Sequence, residues 1–196
     1  MPRKKSVQHS AQHFRDAADE ISTFLDTACA NQSDEHISWL YDYAIIRLYR
    51  EFEALMLDAL VGAVNNDTAT ISATVGVDFP QHLTDEVCEF LITGGGYFDF
   101  KGRAGLINKL KEFVPADHYL VTIVKKDAYK DSLEQLGALR NFSAHGSYQS
   151  KRAALKAIGG QKISSSGAWL KREGRFQSIV AHLKNLATDL EGAAPY

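Results

Sequence analysis

The stretch Leu136-Gly-Ala-Leu-Arg140-Asn141-Phe-Ser-Ala-His145-Gly146 ends a segment with the spacing of a buried helix. Leu133, Leu136, Gly137, Arg140, Ser143 and Ala144 fall at i, i+3, i+4, i+7, i+10 and i+11, one face of an α-helix. The spacing predicts a helix from about Asp127 to His145, with Gly146 placed to end it. Arg140 thus continues a stripe that begins apolar. A guanidinium there is costly unless it meets a carboxylate, a water-filled cleft or an anionic ligand. At about 100° and about 1.5 Å per residue, five positions set His145 roughly 140° around from Arg140 and about 7.5 Å along the axis. One straight helix does not aim both side chains at one atom. Either Gly146 bends the helix end, or two copies of the chain share a site. The residues alone leave open a plainer reading, in which Arg140 pairs with an acid and His145 is a cation favoured at a helix C-terminus.

Outward from that stretch the chain is a succession of helical patterns, and the predicted fold class is all-α. Phe14, Ala18, Ile21, Leu25 and Ala28 predict a first helix from about Ser10 to Ala30. Ser33-Asp34-Glu35 supplies an N-cap and an acidic first turn for a long second helix to about Val64. Tyr43, Ile46, Phe52, Leu55, Met56 and Leu60 give that helix wide apolar coverage, which makes it the central one. Among its polar members, Arg47–Glu51 and Arg50–Glu53 stand at pairing spacings, the alternative being that one of the four faces Arg140.

The segment Asn65–Pro80 is expected as a loop, with Thr70–Val75 either a short edge strand or an extended connection. Thr84 caps a short helix through Ile92, and Gly102–Val114 forms another, stopped by Pro115. Gly94-Gly95-Gly96 lacks the Gly-Lys-Ser/Thr ending of a phosphate-binding loop. In Tyr97-Phe-Asp-Phe-Lys101 the aromatics either stack on a base or anchor the loop to the core, and anchoring is the commoner use. Ala116–Val124 fits either a helix or a buried strand, and the helix is preferred because Asp117 can cap it. A further helix carries Lys151 and Arg152 and ends at Gly159-Gly160. Gln161–Gly167 is a polar loop, and the last helix covers about Gly174–Leu190. No repeat or linker divides the chain, so residues 9–192 are expected as one domain behind a basic arm, residues 1–8, without fixed structure.

Composition narrows the function classes. A net charge of −2 excludes a general polyanion binder, so any nucleic-acid contact must come from a local basic patch. Cys29 and Cys88 match no metal spacing and are expected as buried, reduced thiols of a cytoplasmic protein. His9 and His13 stand at i, i+4 without a third ligand, so they are read as surface residues, and no metal is expected. No apolar run reaches the length of a membrane span.

Arg140-Asn141-x-x-Ala144-His145-Gly146 at the end of an amphipathic helix resembles the signature of HEPN domains. These are all-α proteins whose hallmark is an arginine, often with a polar residue after it, and a histidine four to six positions on. Ala44-Ile-Ile-Arg-Leu-Tyr-Arg-Glu-Phe-Glu-Ala-Leu-Met56 looks like the long second helix of these domains. Chain length and the helices after the motif look like the RiboL-PSP-HEPN branch. Arg175-Phe-Gln-Ser-Ile-Val-Ala-His182 also satisfies a bare Arg-x6-His pattern, but Phe176 replaces the polar residue and the segment is an ordinary amphipathic helix.

The resemblance implies a HEPN-type helical bundle that cleaves RNA without metal or cofactor, leaving a 2′,3′-cyclic phosphate. It implies a homodimer in which two motifs meet in a composite site, serving host defence or a toxin–antitoxin pair. His145 is then the general acid or base, since an imidazole titrates near neutrality. Arg140 holds the phosphate as charge builds on it. Asn141 either fixes the tautomer of His145 or bonds the phosphate. Lys151 and Arg152, just past the motif, are placed for phosphate-backbone contacts, or form a charged helix face. The rival implied by the same resemblance is a non-catalytic HEPN subunit that binds RNA, a nucleotide or a partner protein. A rival from another class is a helical scaffold.

Overall fold

The computed structural model describes residues 5–195. It is all-α, with no strand among the described residues. Among the described residues ten α-helices follow in order: α1 (Val7–Ala28), α2 (Asp34–Asn66), α3 (Ala69–Val75), α4 (Asp85–Thr93), α5 (Gly102–Lys111), α6 (Tyr119–Val124), α7 (Lys130–His145), α8 (Tyr148–Ala157), α9 (Ser166–Leu170) and α10 (Arg175–Ala193). A 3-10 turn, Asp127–Tyr129, leads into α7. Among the described residues no helix is long and apolar enough to cross a membrane.

α2 is the axis of the bundle, packed by α1, α7, α9 and α4, while α10 lies on α1. Its start is local chemistry: Ser33 Oγ accepts from His36 N at 3.2 Å, and Asp34 and Glu35 sit in the first turn. Its apolar face matches the expected one at Phe52, Leu55, Met56 and Leu60 and departs from it at Tyr43 and Ile46. Ala44, Ile45 and Leu48 are buried with Phe52, Leu55, Met56 and Leu60, whereas Tyr43 is exposed and Ile46 only half-buried. From Ala59 to Val64 every residue is buried, as suits a helix surrounded on all sides. Gly62 lets the chain enter α1 across this helix, since a Cβ there would sit 3.3 Å from the Lys5 carbonyl oxygen.

Residues 5–8, expected in the basic arm, are part of the fold. Arg3 and Lys4 lie outside the described residues. Lys5 is engaged, its Nζ pairing with Asp58 at 2.5 Å and its N–H donating to Asp85 at 2.6 Å. Ser6 caps α1 at Val7, ahead of the expected start at Ser10.

Two connections and one cysteine differ from the sequence expectation. Thr70–Val75 belongs to the helix α3: Asp67 Oδ1 takes the Ala69 N–H at 2.9 Å, and only Ile71 needs burial. α9 begins in the last two residues of the expected polar loop, because Ser165 caps it and Trp169 and Leu170 are buried. Cys88 is fully buried as expected, but Cys29 is only half-buried.

α6 is a helix as expected, yet its cap is His118 rather than Asp117. His118 Nδ1 accepts from Leu120 N at 3.3 Å, which requires an unprotonated Nδ1. Burial pushes the His118 imidazole below its ordinary range, against the pull of Asp117 and Asp67. The neutral form is therefore favoured by folding. This contribution to stability is present above about pH 6.5 and is lost as pH falls through the lowered folded value. Melting curves between pH 7.5 and 5 are expected to show a fall in Tm that His118→Asn, an alternative cap, reduces.

Candidate functional site

Arg140 and His145 are positioned by the end of α7. Gly146, at φ 57°, closes the helix directly after His145, with its N–H on the Phe142 carbonyl at 3.0 Å. His145 is exposed and makes no hydrogen bond among the described residues. Arg140 is half-buried. Its guanidinium carbon lies 4.3 Å from the centre of the Tyr49 ring, and Nη1 donates to Asn141 Oδ1 at 2.7 Å. No carboxylate lies within ion-pair distance of it among the described residues. The acid nearest in effect is Glu53, whose carboxyl feels the charge of Arg140 from beyond ion-pair distance, and Asn141 does what neither expected role describes: it steadies the arginine.

Tyr49 carries this arrangement. It is buried on α2, its ring 5.7 Å from Phe100, which leans edge-on against Phe52 and Phe98. Burial pushes the Tyr49 hydroxyl well above the usual phenol range, so it stays a donor, reaching the Phe100 carbonyl at 3.4 Å and the Glu53 carboxylate. Burial likewise pushes the Glu53 carboxyl up, while the charge of Arg140 and the Tyr49 hydrogen bond oppose that. Glu53 is the α2 residue that looks toward Arg140. Arg47 pairs with Glu51 at 2.8 Å as its spacing suggested, but Arg50 and Glu53 do not pair among the described residues.

Two clefts meet at Arg140. The larger, about 580 Å³, brings together Arg140, Asn141 and His145 with Tyr49, Lys101 and, from α8, Gln149 and Ser150. The smaller, about 440 Å³, is lined by Arg50, Glu53, Tyr97, Phe98, Asp99 and Arg140. Both have the volume of small-ligand sites. The floor of the larger cleft is fixed by α5 against α7: Glu134 Oε1 accepts the Arg103 N–H at 3.1 Å where Gly102 meets Gly137. The pose of α7 on α2 and α9 is fixed by Asp42, whose Oδ1 accepts from Ser143 Oγ and from Gly167 N, each at 2.7 Å.

Lys151 and Arg152 are not brought to the larger cleft. Lys151 lines a separate polar pocket with Asp42, Ser143 and Ser164–Ser166, and Arg152 is exposed. α8 turns Gln149, Ser150 and Ala153 toward Arg140 instead. Arg175 stacks on Trp169 at 4.7 Å and pairs with Glu173, and His182 bonds its own helix at Ser178, so both residues of the second Arg-x6-His pattern serve local structure. His9 and His13 are exposed, and the described residues contain no group of three or more potential metal ligands. Tyr49 is the site residue that sequence reasoning missed. Its signal was a hydroxyl in an apolar stripe, one helical turn before Glu53.

Comparison of the chain with family models, curated proteins and solved structures finds no match in any of the three.

Proposed function

We propose that the cleft at Arg140 and His145 is the active site of a metal-independent endoribonuclease of HEPN type. The observation that carries this reading is a half-buried guanidinium with no carboxylate within ion-pair distance among the described residues, steadied by Tyr49 and Asn141, in the same cleft as an exposed imidazole. A fixed cation with unused donors suits a phosphate, and an unencumbered imidazole suits proton transfer. The ribose 2′-oxygen attacks phosphorus as His145 takes its proton, and the bond from phosphorus to the 5′-oxygen breaks. The leaving oxygen takes a proton from a second imidazole, and the product is a 2′,3′-cyclic phosphate. Arg140 stabilises the charge on the phosphoryl oxygens.

His145 lies at the end of α7 and Arg140 more than a turn earlier, so one copy supplies one imidazole. A homodimer supplies the second. A role in host defence or a toxin–antitoxin pair, and a cytoplasmic location, accompany the HEPN resemblance carried by residues 140–146.

The nucleophile gives a direct test. RNA carrying a single 2′-deoxy nucleotide at the mapped cut is expected to survive there, while the all-ribose strand is cut. Cleavage of both strands alike would overturn the 2′-hydroxyl route. Within the site, Asn141→Ala removes one hydrogen bond to Arg140, of about 1–1.5 kcal/mol. It is expected to slow single-turnover cleavage about tenfold, well short of the effect of removing Arg140 itself.

A further inference from the structure

The smaller cleft has no part in the chemistry just described, yet it opens beside Arg140 and has a built character of its own. Its charges balance: the guanidiniums of Arg50 and Arg140 face the carboxylates of Glu53 and Asp99. A phosphate gains little from such a lining, whereas an uncharged ligand with donors and acceptors on its edges gains much. On its rim stands Tyr97, 96% exposed, the most exposed large hydrophobic among the described residues. Tyr97 follows a turn that glycine makes possible, since Gly94 and Gly95 adopt φ of 63° and 75°. Its neighbours Phe98 and Phe100 pack into the core, so the segment is anchored without it. An aromatic ring held in solvent at the lip of a polar cleft is a stacking surface for a flat ring.

The edges of the cleft select among flat rings. Arg50 and Glu53 lie one turn apart on α2 and do not pair with each other. A carboxylate accepts two adjacent N–H donors, and guanine alone among the RNA bases presents such a pair, N1–H and the N2 amino group. A guanidinium donates to two adjacent acceptors, and guanine presents these as O6 and N7. Adenine and cytosine place an acceptor beside their amino group, which repels a carboxylate. Uracil presents one N–H between two carbonyls.

We infer that the cleft formed by Arg50, Glu53, Tyr97 and Phe98 is a guanine-selective base pocket adjoining the Arg140 phosphate site. The inference rests on the ribonuclease reading for its biological use, but the pocket itself binds whether or not the chain cuts RNA. Arg140 is the shared wall, so a guanosine base in the smaller cleft brings its phosphate to the larger one.

The test is calorimetric titration of the full chain with the 3′- and 5′-monophosphates of the four nucleosides, repeated with Glu53→Gln and Tyr97→Ala. Guanosine monophosphate is expected to bind at least tenfold more tightly than the other three. Glu53→Gln is expected to erase that preference, because an amide offers one acceptor in place of two. Tyr97→Ala, an exposed position at which folding is not at stake, is expected to weaken all four about alike. Equal affinities for the four, no binding of any, or a preference unchanged in Glu53→Gln would overturn the proposal. Cut-site mapping on a randomised RNA separates this failure from failure of the ribonuclease reading. Cutting without a guanine bias leaves the enzyme and removes the pocket. Selective guanosine binding without any cutting leaves the pocket and removes the enzyme.

Discussion

His145→Ala is expected to lower the rate of RNA cleavage by about 10²–10⁴-fold, the range for loss of a positioned acid or base. The imidazole is exposed, makes no hydrogen bond among the described residues, and sits on the last residue of α7. Its removal therefore leaves the fold alone, and Tm is expected to stay within about 2 °C of wild type. Arg140→Ala should cost about 10²–10³-fold, as for the loss of one transition-state donor group. It differs in a diagnostic way. Arg140 is half-buried against Tyr49 and tied to Asn141, so its loss also lowers stability, by about 1 kcal/mol. Single-turnover rates beside thermal melts separate the two. Activity that fell only with the folded fraction would assign both residues to structure.

Phe52→Ala has the largest expected effect on stability. The ring is fully buried, edge-on to Phe14 at 6.1 Å and to Phe100 at 6.4 Å. It thereby joins α1, the central α2 and the segment that holds Tyr49 in place. Truncating such a ring costs about 3–5 kcal/mol in lost transfer and residual cavity. For a chain of this length about 2–4 °C of Tm accompanies each kcal/mol, so Tm should fall by roughly 6–20 °C. That is a large share of a stability of about 5–15 kcal/mol. Phe24→Ala, at a ring 47% exposed, is the control and should stay close to wild type. Urea melts check both, with the midpoint of Phe52→Ala shifted and its slope unchanged. Cleavage by the folded fraction of Phe52→Ala should also drop, because Phe100 would no longer hold the Tyr49 ring under Arg140.

How legible the fold was depended on how local each signal is. The ends of α2, α4 and α7 follow from Ser33, Thr84 and Gly146, whose effects act within one turn. The motif helix was legible for the same reason. α3 and α9 were not: Thr70–Val75 alternates as a strand does and Gln161–Gly167 is polar, and neither pattern shows the Asp67 bond to the Ala69 N–H or the cap at Ser165. In the first half of α2, Tyr43 and Ile46 are apolar enough to suggest burial, yet Tyr43 is exposed and Ile46 half-buried, while Phe52, Leu55, Met56 and Leu60 are buried as expected. Contacts from α9 and α7 decide the matter, and these lie over a hundred residues away.

At the site, the identities of Arg140, Asn141 and His145 were readable, but not what each touches. Asn141 turns to Arg140 because adjacent side chains meet at 2.7 Å once Tyr49 has fixed the guanidinium from across the bundle. Lys151 and Arg152 show that nearness in sequence does not determine helical phase. Ser147 caps α8 so that Gln149, Ser150 and Ala153 form the face toward the cleft, and the two cations fall outside it. The split of Tyr97 from Phe98 and Phe100 was equally hidden, since all three are aromatic and only packing tells the anchors from the exposed ring.

The most direct measurement is cleavage of end-labelled structured RNA by the purified chain in excess EDTA, with analysis of the new 3′ ends and with Arg140→Ala and His145→Ala alongside. A metal-free site at Arg140 and His145 predicts fragments ending in 2′,3′-cyclic phosphate from wild type, and intact RNA from both folded variants. Wild-type protein that leaves RNA intact across a range of subunit concentrations, while both variants bind RNA as tightly as it does, would contradict it.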